Sequence, residues 1–380
     1  MKLFDVYPLF PIEPATASGC WITANDGTKY LDLYGGHAVI SIGHSHPHYV
    51  NRLTEQLNKI AFYSNSVENP IQVELAEKLG TISGYPDYNL FLCNSGAEAN
   101  ENAFKLASFH TGRKKIIAFS NAFHGRTSLA VAATDDPKIT AAVNQNSNIQ
   151  FLPFNDEAAF EQAMNDEVCA VIIEGIQGVG GVHVPETSFL KKIKTLCNRY
   201  GAMMILDEIQ SGYGRSGKFF AHQHAGVKPD IITVAKGMGN GFPIAGVLIT
   251  PEIKPAHSML GTTFGGNYLA CVAALAVLEV LESENLIQHA VEMGDYIKSH
   301  LINLPGLVDI RGNGLMIGLE LDQPCAGIRS ELLVKHHIFT GSASQKNTLR
   351  ILPPLNLKKE EADLFIQAFT SVLTHEIQPS

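Results

Sequence analysis

The chain contains no CxxC pair, no run long enough to cross a membrane, and no basic patch interleaved with aromatics. The six cysteines (Cys20, Cys93, Cys169, Cys197, Cys271 and Cys325) are scattered, which points to reduced, buried thiols and a cytoplasmic setting. Asp5, Pro8, Pro11 and Glu13 interrupt the first residues, so they do not read as a signal peptide. A net charge of −9 argues against nucleic acid or an anionic membrane as partner. No internal repeat and no low-complexity linker divides the 380 residues, which suffice for one large and one smaller domain.

In the middle of the chain, strand-like and helix-like segments alternate. Strands are expected at 89–93, 115–120, 168–174, 202–207, 231–235 and 245–250, and helices at 97–110, 187–200 and 268–281. That alternation defines an α/β fold with a mostly parallel sheet and helices on both faces. Ligands of such sheets bind at the carboxyl ends of the strands. Lys236, Asn94-Ser95-Gly96, Glu174 and Asp207-Glu208 all fall at such ends. The segments 307–321, 328–337, 349–352 and 358–373 form a small α+β unit, which the first forty or so residues are expected to join. The resulting division is 47–299 for the large domain, with 1–46 and 300–380 for the small one.

Lys236 stands out. It follows the apolar run 231–235 and precedes Gly237, Gly239 and Gly241. Lysine seldom ends a core strand unless it is paired or reactive, and the glycines read as clearing space around it. At 93–107, Ser95-Gly96 opens a helix, where free amides and the helix dipole suit a phosphate as well as an ordinary cap. Asp207 could hold a cationic ring nitrogen or a metal, or be one of a solvated acidic pair. GYGRSGKF (212–219) nearly matches a nucleotide phosphate loop, but Phe219 occupies the place of the magnesium-binding hydroxyl. It reads as a decoy and defines the competing nucleotide-hydrolase reading. His44, His46 and His48, with His222 and His224, have alternate spacing but no completing cysteine or acid, so a structural role is favoured over zinc. GIQGVGGV (175–182) departs from dinucleotide spacing and reads as a close-packed loop.

Seven motifs occur in order: NSGAEAN, NAFHGRT, EGIQGVGG, LDEIQSGYGRSGKF, AKGMGNGFPIAG, TTFGGNYLAC and RGNGLMIGLEL. Together they resemble the class-III pyridoxal-phosphate aminotransferases of fold type I, over nearly the whole chain. The resemblance implies a seven-stranded large-domain sheet, pyridoxal 5'-phosphate as cofactor, and Lys236 as the lysine that carries it. It implies that Ser95, Gly96 and Ala97 cup the phosphate, Phe123 stacks on the ring, Asp207 pairs with the ring nitrogen, and Gln210 meets the ring hydroxyl. Thr263 would reach the neighbouring site of a homodimer. Arg126 would hold a substrate carboxylate away from the reacting amine, and Arg350 the α-carboxylate of 2-oxoglutarate or glutamate. The implied reaction moves the terminal amine of N-acetylornithine to 2-oxoglutarate. N-succinylornithine, ornithine and 4-aminobutyrate are rival donors.

Two residues depart from the family pattern. Val179 stands where the family carries a glutamate that gates Arg350, so Arg350 is expected to find water, another acid or a substrate group. His37, in YGGHAVIS, is expected either to contact a substrate acyl group or to pack.

Overall fold

The computed structural model describes residues 1–376. Residues 377–380, the last four of the expected small unit, lie outside the described residues. Three short strands, β1 (Pro14–Ser18), β2 (Trp21–Ala24) and β3 (Lys29–Asp32), open the fold. The central sheet then takes β4 (Asn89–Cys93), β5 (Lys115–Phe119), β6 (Ile149–Leu152), β7 (Val168–Glu174), β8 (Met203–Asp207), β9 (Ile231–Val234) and β10 (Ala245–Ile249). The tail supplies β11 (Leu307–Arg311), β12 (Ile317–Leu321), β13 (Ile338–Phe339), β14 (Gly341–Ser342) and β15 (Thr348–Ile351).

The central sheet has the order β4-β10-β9-β8-β7-β5-β6. Only β10 runs antiparallel to its neighbours. Every residue of β7 and β8 is buried, because strands covered by helices on both faces must be apolar throughout. Register then matters for chemistry. Glu174 pairs with Asp207, and Asp207 with Thr233, so one row crosses the carboxyl ends of β7, β8 and β9. Ala245 of β10 pairs with Cys93 of β4 at that same end.

The helices follow from caps and stripes. Ser95 caps Gly96–Thr111, and Gly112 ends it in the left-handed region at φ 68°. Thr187–Tyr200 buries Phe189, Leu190, Ile193, Leu196 and Cys197, spaced for one face. Tyr268–Ser283 is apolar nearly all round, since it is packed between the central sheet's surroundings and the helices Pro47–Leu57 and Pro70–Ser83. Pro47 fits at the first helical position, where the missing N–H is no loss.

Two smaller sheets, β1-β2-β3-β13 and β11-β12-β15-β14, use the chain ends. Parallel pairing of β3 with β13 joins the first residues to the tail. The expected segment 307–321 is a hairpin of two strands, and the segment 328–337 falls on a helix, Ala326–Val334, followed by β13.

The phosphate-loop look-alike is a structural tie. No α-helix follows it, so it offers no helix start for a phosphate. Arg215 is buried, and its Nη1 donates to the carbonyls of Leu315 (3.1 Å) and Pro353. Phe219 packs against Tyr213 and Phe220. The three histidines of 43–50 each face a different carboxylate: Asp32, Glu284 and Glu279. Among the described residues, no group of three or more His, Cys, Asp or Glu is placed to hold a metal. Nor is any helix among them long and apolar enough to cross a membrane.

Candidate active site

A cavity of about 410 Å³ opens at the carboxyl ends of the central strands. It is lined by Ser95, Gly96, Ala97, Phe123, Arg126, Asp207, Gln210 and Lys236, all named from sequence, and by Val39, His124, Glu174 and Val179. Thr263, His37 and Arg350 are not among its walls.

Lys236 follows β9 in a tight turn and adopts φ 46°, left-handed for a side-chain-bearing residue. Burial pushes its amine below the ordinary lysine range, and Asp207 and Glu174 oppose that shift. A larger fraction of neutral, nucleophilic amine results. The glycines after it do less for the cavity than their pattern suggests. A methyl on Gly239 would lie 2.1 Å from Phe242 O, so that glycine serves close packing of the chain on itself, whereas one on Gly237 would make only ordinary contact, 3.4 Å from Ser41 Cβ. Of the three, only Gly241 lines the cavity.

Asp207 is buried and fully engaged. Its Oδ1 accepts from Ile209 N (3.1 Å), and its Oδ2 accepts from Asn100 Nδ2 and from His124 Nδ1, each at 2.8 Å. Asn100 is itself fixed: its Nδ2 also donates to His124 O (2.7 Å), and Thr233 Oγ1 donates to its Oδ1 (2.8 Å). Donors on this side fix the orientation of the carboxylate at the cavity wall. His124 Nε2 is buried without a partner among the described residues. Sequence reasoning missed both Asn100 and His124. Asn100 lies one helical turn beyond Gly96, and His124 sits inside the quoted NAFHGRT motif.

Glu208, the second acid of the pair, belongs elsewhere. It accepts from Ser211 Oγ, Ala221 N and both nitrogens of His222 that face it, in a buried cluster. Tyr85 OH closes the cluster at 2.6 Å from His222 Nε2. Glu174 accepts from Phe123 N and Gly178 N, each at 3.0 Å. Burial, with some help from Asp207, pushes its carboxyl up to about 7, against the attraction of His124.

Ser95 Oγ accepts from Glu98 N (3.2 Å) as an N-cap. The amides of Gly96 and Ala97 belong to the first turn, which has no intrahelical partners for them. They face the cavity, where an anion would complete them. Gly96 is required on its other side, since a methyl there would sit 2.8 Å from Ile209 Cδ1.

Arg350, in β15, is 4% exposed. Nε donates to Ser342 O (2.7 Å), Nη1 to Gln210 Oε1 (3.4 Å) and Nη2 to Tyr34 OH (3.2 Å). Its acceptors among the described residues are therefore an amide, a carbonyl and a phenol, with no acid among them. Gln210 Nε2 donates to His37 O (3.1 Å). The His37 ring is exposed, lies 4.8 Å from that of Tyr34, and its residue adopts φ 71°. Arg126 is exposed at the cavity rim. Thr263 is exposed and away from this chain's own cavity, beside Phe264 on the surface.

A depressed lysine amine, a fixed carboxylate at the cavity and the first turn of a helix beside them make a set of groups that pyridoxal phosphate would fit. The site and the central sheet together define a fold type I pyridoxal-phosphate transferase. The aminotransferase class-III family matches residues 6–373, and the chain belongs to that family. It is an aminotransferase that uses pyridoxal phosphate. The chain is 39% identical to the acetylornithine aminotransferase of Bacillus subtilis (strain 168), over 98% of each chain. Its fold is similar to that of the ornithine aminotransferase from Toxoplasma gondii ME49, with a TM-score of 0.93 and 27% identity, covering 99% of this chain and 94% of the other. The acetylornithine aminotransferase from Elizabethkingia anophelis matches with a TM-score of 0.85 and 28% identity, covering 98% and 96%.

Proposed function

We propose that the chain moves the terminal amine of N-acetylornithine to 2-oxoglutarate, giving N-acetylglutamate semialdehyde and glutamate, a step of arginine synthesis in the cytoplasm. The observation that carries this reading is the pair of arginines, one at the cavity rim and one buried behind Gln210. Two cations suit two acidic substrates taken in turn. Near-full-length similarity to acetylornithine aminotransferases supports the choice of donor.

Lys236 Nζ would act as the base for the proton on the substrate's amine-bearing carbon and then as its acid, a role for which burial leaves the amine neutral. The chemistry that pyridoxal phosphate supplies when bound is an electron sink for the pair left on that carbon. Asp207, fixed by Asn100 and His124, holds the positive charge that keeps the sink effective. Ser95, Gly96 and Ala97 would hold the phosphate, Phe123 would contact the ring, and Gln210, also in the cavity wall, would meet the ring hydroxyl. Arg126 orients the donor's carboxylate at the rim, and Arg350 orients that of 2-oxoglutarate or glutamate. His37 exposes its ring beside Tyr34, where a donor's acyl group would pass. Thr263, unused by its own cavity, completes the phosphate cup of the second subunit in a homodimer. The division into 47–299 and the paired ends 1–46 and 300–380 belongs to the same proposal, supported by the β3–β13 pairing.

The test is spectroscopic. Purified protein loaded with pyridoxal phosphate is expected to lose its visible band on adding N-acetylornithine alone and regain it with 2-oxoglutarate. Bleaching by N-succinylornithine, ornithine or 4-aminobutyrate but not by N-acetylornithine would replace the donor. Failure to take up the cofactor would overturn the assignment of Lys236.

A further inference from the structure

Arg350 is a buried guanidinium with no carboxylate among its hydrogen-bond partners in the described residues. A buried charge without a counter-ion is costly, and is retained where a ligand supplies the missing charge. One of the three neutral groups that keep this one in place is a phenol. Tyr34 OH accepts from Nη2 at 3.2 Å, and the guanidinium carbon stands 5.7 Å from the centre of the Tyr34 ring. The ring is itself seated. It lies over Gly341, where a methyl group would come within 2.2 Å of Tyr34 Cε2. Gly341 pairs directly with Arg350 between β14 and β15. Its backbone is not in the left-handed region, so the space for the ring, rather than chain conformation, requires glycine there. The Gln210 amide is seated in the same way: a methyl on Gly178 would fall 1.7 Å from its Oε1.

We infer that Tyr34, seated on Gly341, is a positioning and specificity-determining residue: with Gln210 it clamps Arg350 by neutral contacts, leaving the whole guanidinium charge to a substrate carboxylate. An acidic partner would have to be displaced each time a dicarboxylate bound. Neutral acceptors aim the fork without cancelling its charge, so no acid has to be displaced before a dicarboxylate binds. The inference rests on the reading of Arg350 as the acceptor's carboxylate site, and the experiment separates the two.

The probe is glutarate, a dicarboxylate that cannot react, titrated calorimetrically into the enzyme loaded with pyridoxal phosphate. Tyr34→Phe keeps the ring and removes the acceptor. It is expected to weaken glutarate by about fivefold, the effect of one net hydrogen bond. In turnover, KM for 2-oxoglutarate should rise by about the same factor while kcat at saturation changes less than about twofold. A merely structural role would move kcat, KM for the donor and thermal stability together. Gly341→Ala, whose added methyl meets the Tyr34 ring rather than the Arg350 side chain, should weaken glutarate at least as much. In a Tyr34→Ala background the same substitution should add nothing, because the collision is gone. Unchanged glutarate affinity in both Tyr34→Phe and Gly341→Ala would overturn the clamp, as would the absence of glutarate binding by the unsubstituted enzyme. If the affinities shift as expected but no amino donor is turned over, the clamp stands and the proposed reaction fails.

Discussion

Replacing Glu174 with glutamine should turn a pH-dependent stability into a flat one. Glu174 ends β7, is 6% exposed, and accepts from two backbone amides, Phe123 N and Gly178 N. Burial raises its carboxyl from the ordinary 4.5 to about 7. The sign follows from where the proton is bound. In the unfolded chain the group ionises near 4.5, and in the folded chain only near 7. Between those values the native state holds more protons, so stability is full below 4.5 and falls as pH rises to about 7. From pH 5 to pH 8, the loss amounts to roughly 2.5 kcal/mol. Glutamine carries no charge, so Glu174→Gln removes that slope. It also turns an amide NH₂ toward one of the two N–H donors, a constant penalty of about 1–3 kcal/mol. The variant should therefore be the less stable protein at pH 5 and draw level or pull ahead by pH 8. Urea unfolding of both proteins without added cofactor, at half-unit steps of pH, measures the gap. A gap that stays constant would mean that Glu174 is ionised throughout, with the attraction of His124 outweighing burial, and would refute the reasoning.

Other substitutions test the surrounding roles. Gly178→Ala drives a methyl into Gln210 Oε1 and should raise KM for 2-oxoglutarate by about tenfold through the lost contact to Arg350; steady-state kinetics with the acceptor varied would show it. Val179→Glu should leave pyridoxal phosphate uptake intact, read by absorbance, and weaken 2-oxoglutarate as a new carboxylate competes for Arg350; loss of cofactor uptake would contradict that role for position 179. Thr263→Val and Lys236→Ala should each be impaired alone. Mixed after dissociation and reassociation, they should recover activity in about a quarter of the sites, since a hybrid dimer joins one intact lysine to one intact threonine across the interface. No recovery would place Thr263 outside the partner's site.

Much of the central sheet was legible because its strands are buried on both faces. The run 168–174 is apolar up to its last residue, and the strand has those bounds. The helix at 187–200 was equally clear, with one apolar stripe and a terminal glycine at φ 64°. Strand ends also located Lys236, Asp207 and Glu174. What escaped was convergence. Asn100 and His124 meet Asp207 because helix and strands are brought together by β-register, which no local pattern encodes. Glycine was ambiguous for a related reason. Gly239 looked like room for a ligand, yet it admits the backbone of Phe242 and the side chain of Ile244. Absence of a side chain indicates close approach without saying what approaches.

Position 179 shows the limit most directly. Valine there predicts an arginine without its acid, and Arg350 indeed has no carboxylate partner among the described residues. Its replacements could not be read, because they have three unlike origins. Ser342 contributes a main-chain carbonyl, which any residue would offer. Gln210 comes from the turn after β8, and Tyr34 from the kink ahead of His37 and Ala38, where φ is positive at four successive residues from Gly35 to Ala38. That kink brings Tyr34 over Gly341 and holds His37 O against Gln210 Nε2. The direction of the guanidinium is thus fixed by a kink distant from Val179 in sequence, through contacts that leave its charge uncompensated. Specificity for a second carboxylate then depends on a neutral scaffold, and a substitution that never touches substrate, such as one at Gly341, can alter it.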